Sequence, residues 1–188
     1  DYFVETGKTY GADISFKYEA RRFYIWGAYS LGYVTRTDSI ETYPPVFDRR
    51  HNMNLVGTYQ LGKKKEWEFG ARWNLGSGFP FTQTQGFYNN VNFSGGIGTD
   101  VPGGNGQDVG DLGIVYARKR NGGRLPYYHR LDVSLKREFS FSKYSKLEVT
   151  ASATNVYDRP NIFYFDRVRY TRVNQLPFLP SLSATFQF

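Results

Sequence analysis

The stretch that decides the fold is KKKEWEFGARWNLGSGF, residues 63–79, because its apolar and polar side chains alternate. The apolar positions are Trp67, Phe69, Ala71, Trp73 and Leu75, and the residues between them are polar or small. Successive side chains of a β-strand point to opposite faces, so a period of two predicts a strand with one apolar face. The glycine-rich GSGF that follows marks the end of this strand.

The same alternation recurs along the chain and predicts seven strands. They are residues 8–20, 23–36, 52–61, 67–75, 128–139, 146–155 and 181–188. The second segment is aromatic on both faces and is the least regular of the set. No apolar run approaches the ~18–20 residues that a membrane helix needs. The sequence therefore predicts an all-β, antiparallel fold.

Composition narrows the class of protein. The 188 residues suit one domain, and Tyr and Phe supply 16 residues each. No cysteine is present, so disulfides and thiolate metal sites are excluded. The start, DYFVETGKTYGADIS, lacks the basic and apolar parts of a signal peptide, which predicts a mature chain or a fragment.

The net charge of +7 raises the question of a nucleic-acid partner. Such a surface needs aromatic rings and cations together on one face. In the predicted strands the aromatics and the charges mostly take opposite faces, so we predict no nucleic-acid partner.

The lengths of the connections separate a membrane sheet from a soluble one. Short links at 21–22, 62–65 and 142–145 alternate with long links at 37–47, 76–127 and 156–180. Outer-membrane barrels have short periplasmic turns and long extracellular loops. A structureless stretch of about fifty residues counts against a compact soluble domain. We therefore predict an integral transmembrane β-barrel with its long loops outside the cell.

The two faces of the strands take definite roles in such a barrel. Trp67, Phe69, Trp73, Leu131, Val133 and Leu135 are predicted to face lipid, and Glu68, Arg72, Asp132 and Lys136 to face the lumen. The segment from Trp67 to Leu75 has about the ~9–11 residues that a tilted membrane strand needs.

The short links are also basic. Their cations are Arg21, Arg22, Lys63, Lys64, Lys65, Lys143 and Lys146. A cationic belt at one rim suits anionic phospholipid headgroups. The alternative is that solvated turns often carry lysine, which explains one turn better than three together. Arg137 interrupts an apolar face near this rim, where a long side chain reaches the headgroups.

Four stretches carry a family resemblance. FDRRHNMNLVGTYQLGKKKEWEFGARWNLGSGFPFT (47–82), LPYYHRLDVSLKREF (125–139), LEVTASATNVYDRPNIFYF (147–165) and LPSLSATFQF (179–188) together resemble the C-terminal barrel of TonB-dependent outer-membrane receptors, particularly those of Bacteroidota. The resemblance implies a 22-stranded barrel in the Gram-negative outer membrane, with a plug in its lumen. It also implies energised import of an iron chelate, cobalamin, an oligosaccharide or a peptide.

The partners follow from the same resemblance. They are outer-membrane lipid, the remaining strands and plug of the receptor, the TonB system acting through that plug, the outer-membrane assembly machinery and a surface lipoprotein. The chain has no room for a plug, and an odd number of strands does not close an antiparallel barrel. Residues 1–188 are therefore predicted to form about the last seven strands, with the plug and N-terminal strands absent from this chain. The alternative is a self-contained eight-stranded structural or adhesion barrel.

Candidate sites for chemistry are few. A hydrolase would combine Ser, His and an acid. Both histidines, His51 and His129, fall on the lipid-facing parity near the extracellular rim, so we predict no enzymatic activity and no cofactor. Asp100, Asn105, Asp108 and Asp111 offer oxygen ligands for Ca²⁺, but their spacing does not match an EF-hand, and a flexible glycine-rich loop is favoured.

Loop 76–127 also combines aromatic rings with cations. Its ligand-binding candidates are Phe79, Phe81, Phe87, Tyr88, Arg118, Arg120 and Arg124. Such a set can hold a sugar, an anionic chelate or a surface partner. The alternative, packing of the loop against its neighbours, stays open.

The last strand ends with alternating apolar residues, Leu182, Ala184, Phe186 and Phe188. They resemble the C-terminal signal of clients of the assembly machinery, which implies recognition by strand addition. The alternative is that Phe188 completes an aromatic girdle.

Overall fold

The computed structural model describes residues 4–89, 112–142, 144–167, 169 and 171–188, which form an all-β structure. The strands are β1 (Thr6–Glu19), β2 (Phe23–Thr37), β3 (Thr42–Tyr43), β4 (His51–Leu61), β5 (Trp67–Gly76), β6 (Pro80–Phe81), β7 (Thr84–Asn89), β8 (Leu112–Tyr116), β9 (Gly123–Arg124), β10 (Tyr128–Ser140), β11 (Lys146–Thr154), β12 (Ile162–Asp166), β13 (Thr171–Asn174) and β14 (Leu179–Gln187). Across these ranges no helix has both the length and the apolarity to cross a membrane.

The seven long strands form one antiparallel sheet. Its order is β1-β2-β4-β5-β10-β11-β14, with β3 paired to the end of β2. Neighbours in the sheet are therefore neighbours along the chain. All seven strands predicted from the alternation are confirmed, with ends that differ by one or two residues.

The register shows that the sheet has one apolar and one polar face. Trp73 lies opposite Leu131, and the next pair along, Arg72 with Asp132, points the other way. The six residues predicted to face lipid thus share one face, and the four predicted to face the lumen share the other. On the irregular strand β2, pairing places Ile25 with Gly57 of the apolar face.

The sheet is open and has a single layer. Within the described residues no ladder joins β1 to β14, so a closed barrel is not formed by these strands. Tyr43 is the one hydrophobic side chain buried in the described part of the chain. Leu135, in the centre of the apolar face, is 41% exposed. No second layer covers the apolar face among the described residues.

The connections define two rims. Residues 20–22, 62–66 and the described part of 141–145 form the short-turn rim, as predicted. There the Nζ of Lys65 donates a hydrogen bond to the carbonyl oxygen of Arg21 over 2.7 Å, which joins two basic turns. Lys146, counted with the cations of this rim, is the first residue of β11, as in the predicted strand 146–155, and it pairs with Glu138 at 2.9 Å. Lys143 lies outside the described residues.

The long connections form the opposite, long-loop rim. Residues 76–127 were predicted to be structureless, and this is wrong for their described part, because β6 pairs with β9 and β7 with β8. A third hairpin, β12 with β13, projects from residues 156–180. The calcium candidates Asp100, Asn105, Asp108 and Asp111 lie outside the described residues.

Candidate ligand-binding site

A cavity of about 480 Å³ lies at the long-loop rim, where the three long connections meet. Its walls come from Val46 and Phe47 of the first connection, from residues 79–81 and Leu125 of the second, and from residues 163–165 and Arg167 of the third. Most of these side chains are aromatic or aliphatic. The site therefore depends on loops that are far apart in sequence.

The aromatic rings of this cavity are exposed. Phe81 and Phe165 contact each other across two connections, with ring centroids 5.9 Å apart. Phe163 is 64% exposed, and Phe47 and Phe165 are also exposed. A cluster of exposed rings in loops is typical of an interaction site, since folding normally covers such surface.

Asp48 holds the first and second connections together. Its side chain is 2% exposed, and its carboxylate accepts hydrogen bonds from the guanidinium of Arg124 and from the amide of Val34. The Nη1 of Arg124 also donates to the carbonyl oxygens of Asp48, at 3.1 Å, and of Gly78, at 3.2 Å. These bonds fix the two walls that carry Phe79 and Leu125.

Gly78 allows the close approach of those walls. A Cβ atom at this position would lie 1.5 Å from the carbonyl oxygen of Leu125, which is a prohibitive overlap. The amide of Leu125 donates to the carbonyl oxygen of Phe79 at 3.0 Å. The glycine is thus required by backbone packing beside the cavity.

Asn121 supports the tip of the second connection. Its backbone has a φ of 52°, a conformation that asparagine tolerates better than most residues. Its Nδ2 donates to the carbonyl oxygen of Pro44 at 2.9 Å, and its amide donates to Oγ1 of Thr82 at 3.0 Å. The tip is therefore tied to the first connection as well.

Two buried asparagines hold the third connection against the sheet. Asn155 is fully buried, and its Nδ2 donates to the carbonyl oxygens of Arg159, at 3.0 Å, and Leu176, at 3.1 Å. Asn161 brackets His129, donating from Nδ2 to its carbonyl oxygen at 2.9 Å and accepting from its amide at 3.2 Å. Asn161 thereby replaces a strand neighbour at the start of β10.

Arginines support the aromatic walls from outside the cavity. The guanidinium carbon of Arg49 lies 4.3 Å from the ring centroid of Phe79, and that of Arg36 lies 5.6 Å from Phe47. Partial burial lowers the pKa of the Arg49 guanidinium below its ordinary value. Cation–π contacts of this kind orient the rings.

A second cluster lies beside β3. Arg120 stacks over Tyr43 at 4.0 Å and pairs with Asp38 at 3.4 Å. The hydroxyl of Tyr43 donates to Oε1 of Glu5 at 2.8 Å. Burial, followed by this hydrogen bond, raises the pKa of Tyr43. Arg120 is thereby occupied in holding the first connection.

Among the predicted ligand-binding residues, Phe79 and Phe81 line the cavity. Arg124 does not line the cavity, because its guanidinium is hydrogen-bonded to the carboxylate of Asp48 behind the cavity wall. Arg120 stacks on the ring of Tyr43 instead. The structure places the remaining candidates, Phe87, Tyr88 and Arg118, outside the cavity lining.

Sequence reasoning missed the third wall of the cavity. Phe163, Phe165 and Arg167 were placed in a long loop with no assigned role. Their signal is the run IFYFDR, residues 162–167, in which rings follow one another without alternation. Asp48 gave no signal, because nothing in its local sequence indicates burial.

The histidines both pair with tyrosine hydroxyls on the apolar face at the long-loop rim. His51 Nδ1 lies 2.8 Å from the Tyr29 hydroxyl, and His129 Nδ1 lies 2.7 Å from that of Tyr157. The described residues contain no group of three His, Cys, Asp or Glu side chains suited to a metal ion.

The polar face of the sheet carries compensated charges. Lys136 lies between Glu68, at 3.3 Å, and Glu148, at 3.7 Å. Arg130 pairs with Asp132 at 2.9 Å. This face can contact water and polar solutes, whereas the opposite face offers almost continuous apolar surface.

Comparisons with protein-family models, with curated proteins and with solved structures found no match to this chain. The geometry of the sheet and its rims therefore carries the functional argument.

Proposed function

We propose that this chain forms part of the wall of an outer-membrane receptor barrel that imports a large nutrient with energy from the TonB system. The observation that carries the proposal is the single-layered sheet with an uncovered apolar face. In a soluble sandwich a second sheet packs on that face. In a barrel wall lipid covers it, and the polar face lines the lumen.

Strand lengths support a membrane location. The long strands have from nine residues, in β11 and β14, to fifteen, in β2. A tilted strand needs ~9–11 residues to cross the hydrocarbon. Each of the seven long strands is therefore long enough to cross the hydrocarbon, and the longest would extend beyond it.

The open edges support a larger barrel. Backbone groups at an unpaired edge cost several kcal/mol each in hydrocarbon, so β1 and β14 need partners. Both strands run toward the short-turn rim, because the seven strands are antiparallel in order. An antiparallel barrel therefore requires an odd number of further strands between them. The self-contained eight-stranded alternative needs an eighth long strand, which the described residues do not supply.

The proposed partners follow from this arrangement. The remaining strands pair with β1 and β14, a plug contacts the polar face, and the TonB system acts through that plug. The assembly machinery adds to β14, whose Leu182, Ala184 and Phe186 lie on the apolar face. A surface lipoprotein covers the long-loop rim.

A pair of adjacent substitutions tests the assignment of the faces. An arginine facing lipid near mid-membrane costs about 2–4 kcal/mol, whereas a lumen position tolerates it. Val133→Arg should therefore reduce refolding of the complete protein into lipid vesicles far more than Ser134→Arg. Refolded yield and urea unfolding measure the difference, and equal effects would exclude a lipid-facing apolar surface.

Cysteine labelling tests the orientation. Single cysteines are placed at Lys64, on the short-turn rim, and at Lys119, on the long-loop rim. An impermeant maleimide applied to intact cells should label the second and spare the first. Labelling of Lys64→Cys alone would reverse the topology.

A further inference from the structure

We propose that the cavity at the long-loop rim binds a small ligand that combines an aromatic ring with an anionic group. The rings of Phe81, Phe163 and Phe165 contact the ligand's ring, and Arg167 pairs with its anion. The inference rests on the proposed function in one respect, since the cavity then receives the cargo, or a group of it, from outside.

The size and lining of the cavity select the ligand class. Its volume of about 480 Å³ falls in the ~300–1,000 Å³ range of small-molecule pockets. The polar side-chain groups of its lining are the hydroxyl of Tyr164 and the guanidinium of Arg167. A saccharide of this size carries many hydroxyls that need partners, so this wall would leave most of them unsatisfied.

The positive charge of the cavity lining favours a ligand whose polar group is anionic. Arg167 is the one charged residue of the lining, and its guanidinium carbon lies 5.1 Å from the ring centroid of Tyr116. A stacked guanidinium still has N–H donors in its plane, and these suit a carboxylate. A cationic ligand meets repulsion at the same place.

Hydrogen bonds behind the cavity wall hold the segments that carry the aromatic rings in place. Asp48 and Arg124 fix the wall that bears Phe79, and Asn155 fixes the connection that leads to Phe163. A preformed apolar wall binds a planar ring with little loss of side-chain freedom.

Three probes with one ring system test the proposal: 2-naphthoate, neutral 2-naphthalenemethanol and cationic 2-naphthylmethylammonium. Binding to the complete protein in lipid nanodiscs is measured by calorimetry, with empty nanodiscs subtracted for partitioning. We expect saturable binding of 2-naphthoate, at least about tenfold tighter than the neutral probe, the effect of one charge-assisted hydrogen bond.

Variants then assign the contacts. Arg167→Gln should weaken 2-naphthoate about tenfold and leave the neutral probe unchanged, as expected for one lost ion contact. Phe165→Ala should weaken both probes, and exposed Phe163→Ala repeats this test at a position less important for folding. Arg169→Gln is the matched control, because Arg169 is exposed, does not line the cavity and pairs with Asp166 at 3.9 Å.

The contrary outcomes are distinct. Equal affinity for the three probes, or no effect of Arg167→Gln, overturns the proposal, as does absence of saturable 2-naphthoate binding. Saturable binding of maltohexaose in its place would assign the cavity to a sugar. A reversed cysteine-labelling pattern together with normal 2-naphthoate binding would contradict the proposed orientation of the receptor. The proposed binding site would still be supported.

Discussion

The two rims of this sheet are stabilised in different ways. At the short-turn rim the contacts are exposed, such as the amide of Lys64 donating to Oε2 of Glu66 at 3.0 Å and the Nζ of Lys65 donating to the carbonyl oxygen of Arg21 at 2.7 Å. At the long-loop rim the contacts join distant segments through buried polar side chains. Those side chains are Asp48, Ser77, Asn121, Asn155 and Asn161.

The difference follows from chain entropy. Ordering one residue costs roughly 1–2 kcal/mol, so a short turn needs few compensating contacts and a long connection needs many. Apolar burial does not supply them here, since Tyr43 is the one buried hydrophobic side chain of the described residues. Buried hydrogen bonds from side chain to backbone fill that role, and they leave the aromatic rings free to line a cavity.

Asp48→Ala is expected to give the largest difference in lost stability between the two rims. It removes the carboxylate partner of the Arg124 guanidinium and leaves it only backbone carbonyl acceptors, and breaking a buried pair costs about 3 kcal/mol or more. Hydrogen exchange at the amide of Leu125, which bonds the carbonyl oxygen of Phe79, measures the opening of this wall. We expect its protection to fall by about a hundredfold.

The matched change at the short-turn rim is Glu66→Ala. Its carboxylate accepts an exposed hydrogen bond, so removal should cost less than about 1 kcal/mol. Exchange at the amide of Glu138, which donates to the carbonyl oxygen of Glu66, serves as the readout. Similar losses from Asp48→Ala and Glu66→Ala would contradict the contrast between the rims.

Asn155→Ala should have the next largest effect. It removes two side-chain donors to backbone carbonyls and places alanine at a φ of 54°. We expect a loss of about 2 kcal/mol at the third connection, measured by exchange at the amide of Phe178. Asn155→Gly keeps the backbone conformation and should cost less. If glycine costs as much as alanine, the φ strain contributes nothing.

The strands and their faces could be predicted from sequence because both depend on a period of two. Trp67 to Leu75 alternates strictly, and one polar–apolar pattern fixes which residues share a face. Whether the sheet closes into a barrel could not be predicted from these strands, since closure depends on what pairs with β1 and β14.

Only two residues of the cavity lining, Phe79 and Phe81, were among the predicted ligand-binding residues, for a related reason. Phe79 and Phe81 stand out beside a strand end, whereas Phe165 becomes their neighbour only through folding of a connection far along the chain. Asp48 and Asn155 resemble ordinary turn residues in sequence, and their burial results from tertiary contacts. Such contacts leave no periodic pattern in the local sequence, so they could not be predicted from it.

A smaller effect is expected from Arg137 at the short-turn rim. Its guanidinium carbon lies 4.6 Å from the ring of Trp67 and 4.3 Å from that of Phe139. Arg137→Gln should lower stability in anionic vesicles by about 1 kcal/mol, the order of magnitude of a cation–π contact near the protein surface. Arg72→Gln, on the polar face, is the control. Equal effects in urea unfolding would remove the proposed role of Arg137 at the lipid interface.

The smallest effect is a pH dependence in the turn that leads to β3. The pKa of Asp38 lies below its ordinary value of 3.8, because the amides of Glu41 and Ile40 donate to its carboxylate and Arg120 lies nearby. A carboxyl group with a lowered folded-state pKa contributes stability that is present above about pH 4 and is lost as the pH falls through the folded value. Protection of the Ile40 amide, normalised to the rate of an unstructured peptide, should therefore be flat from roughly pH 5 to 7 and fall below about pH 4. Asp38→Asn keeps an acceptor oxygen without a titrating group, so its protection should change little with pH. A parallel fall in the Asp38→Asn variant would show that another group controls this turn.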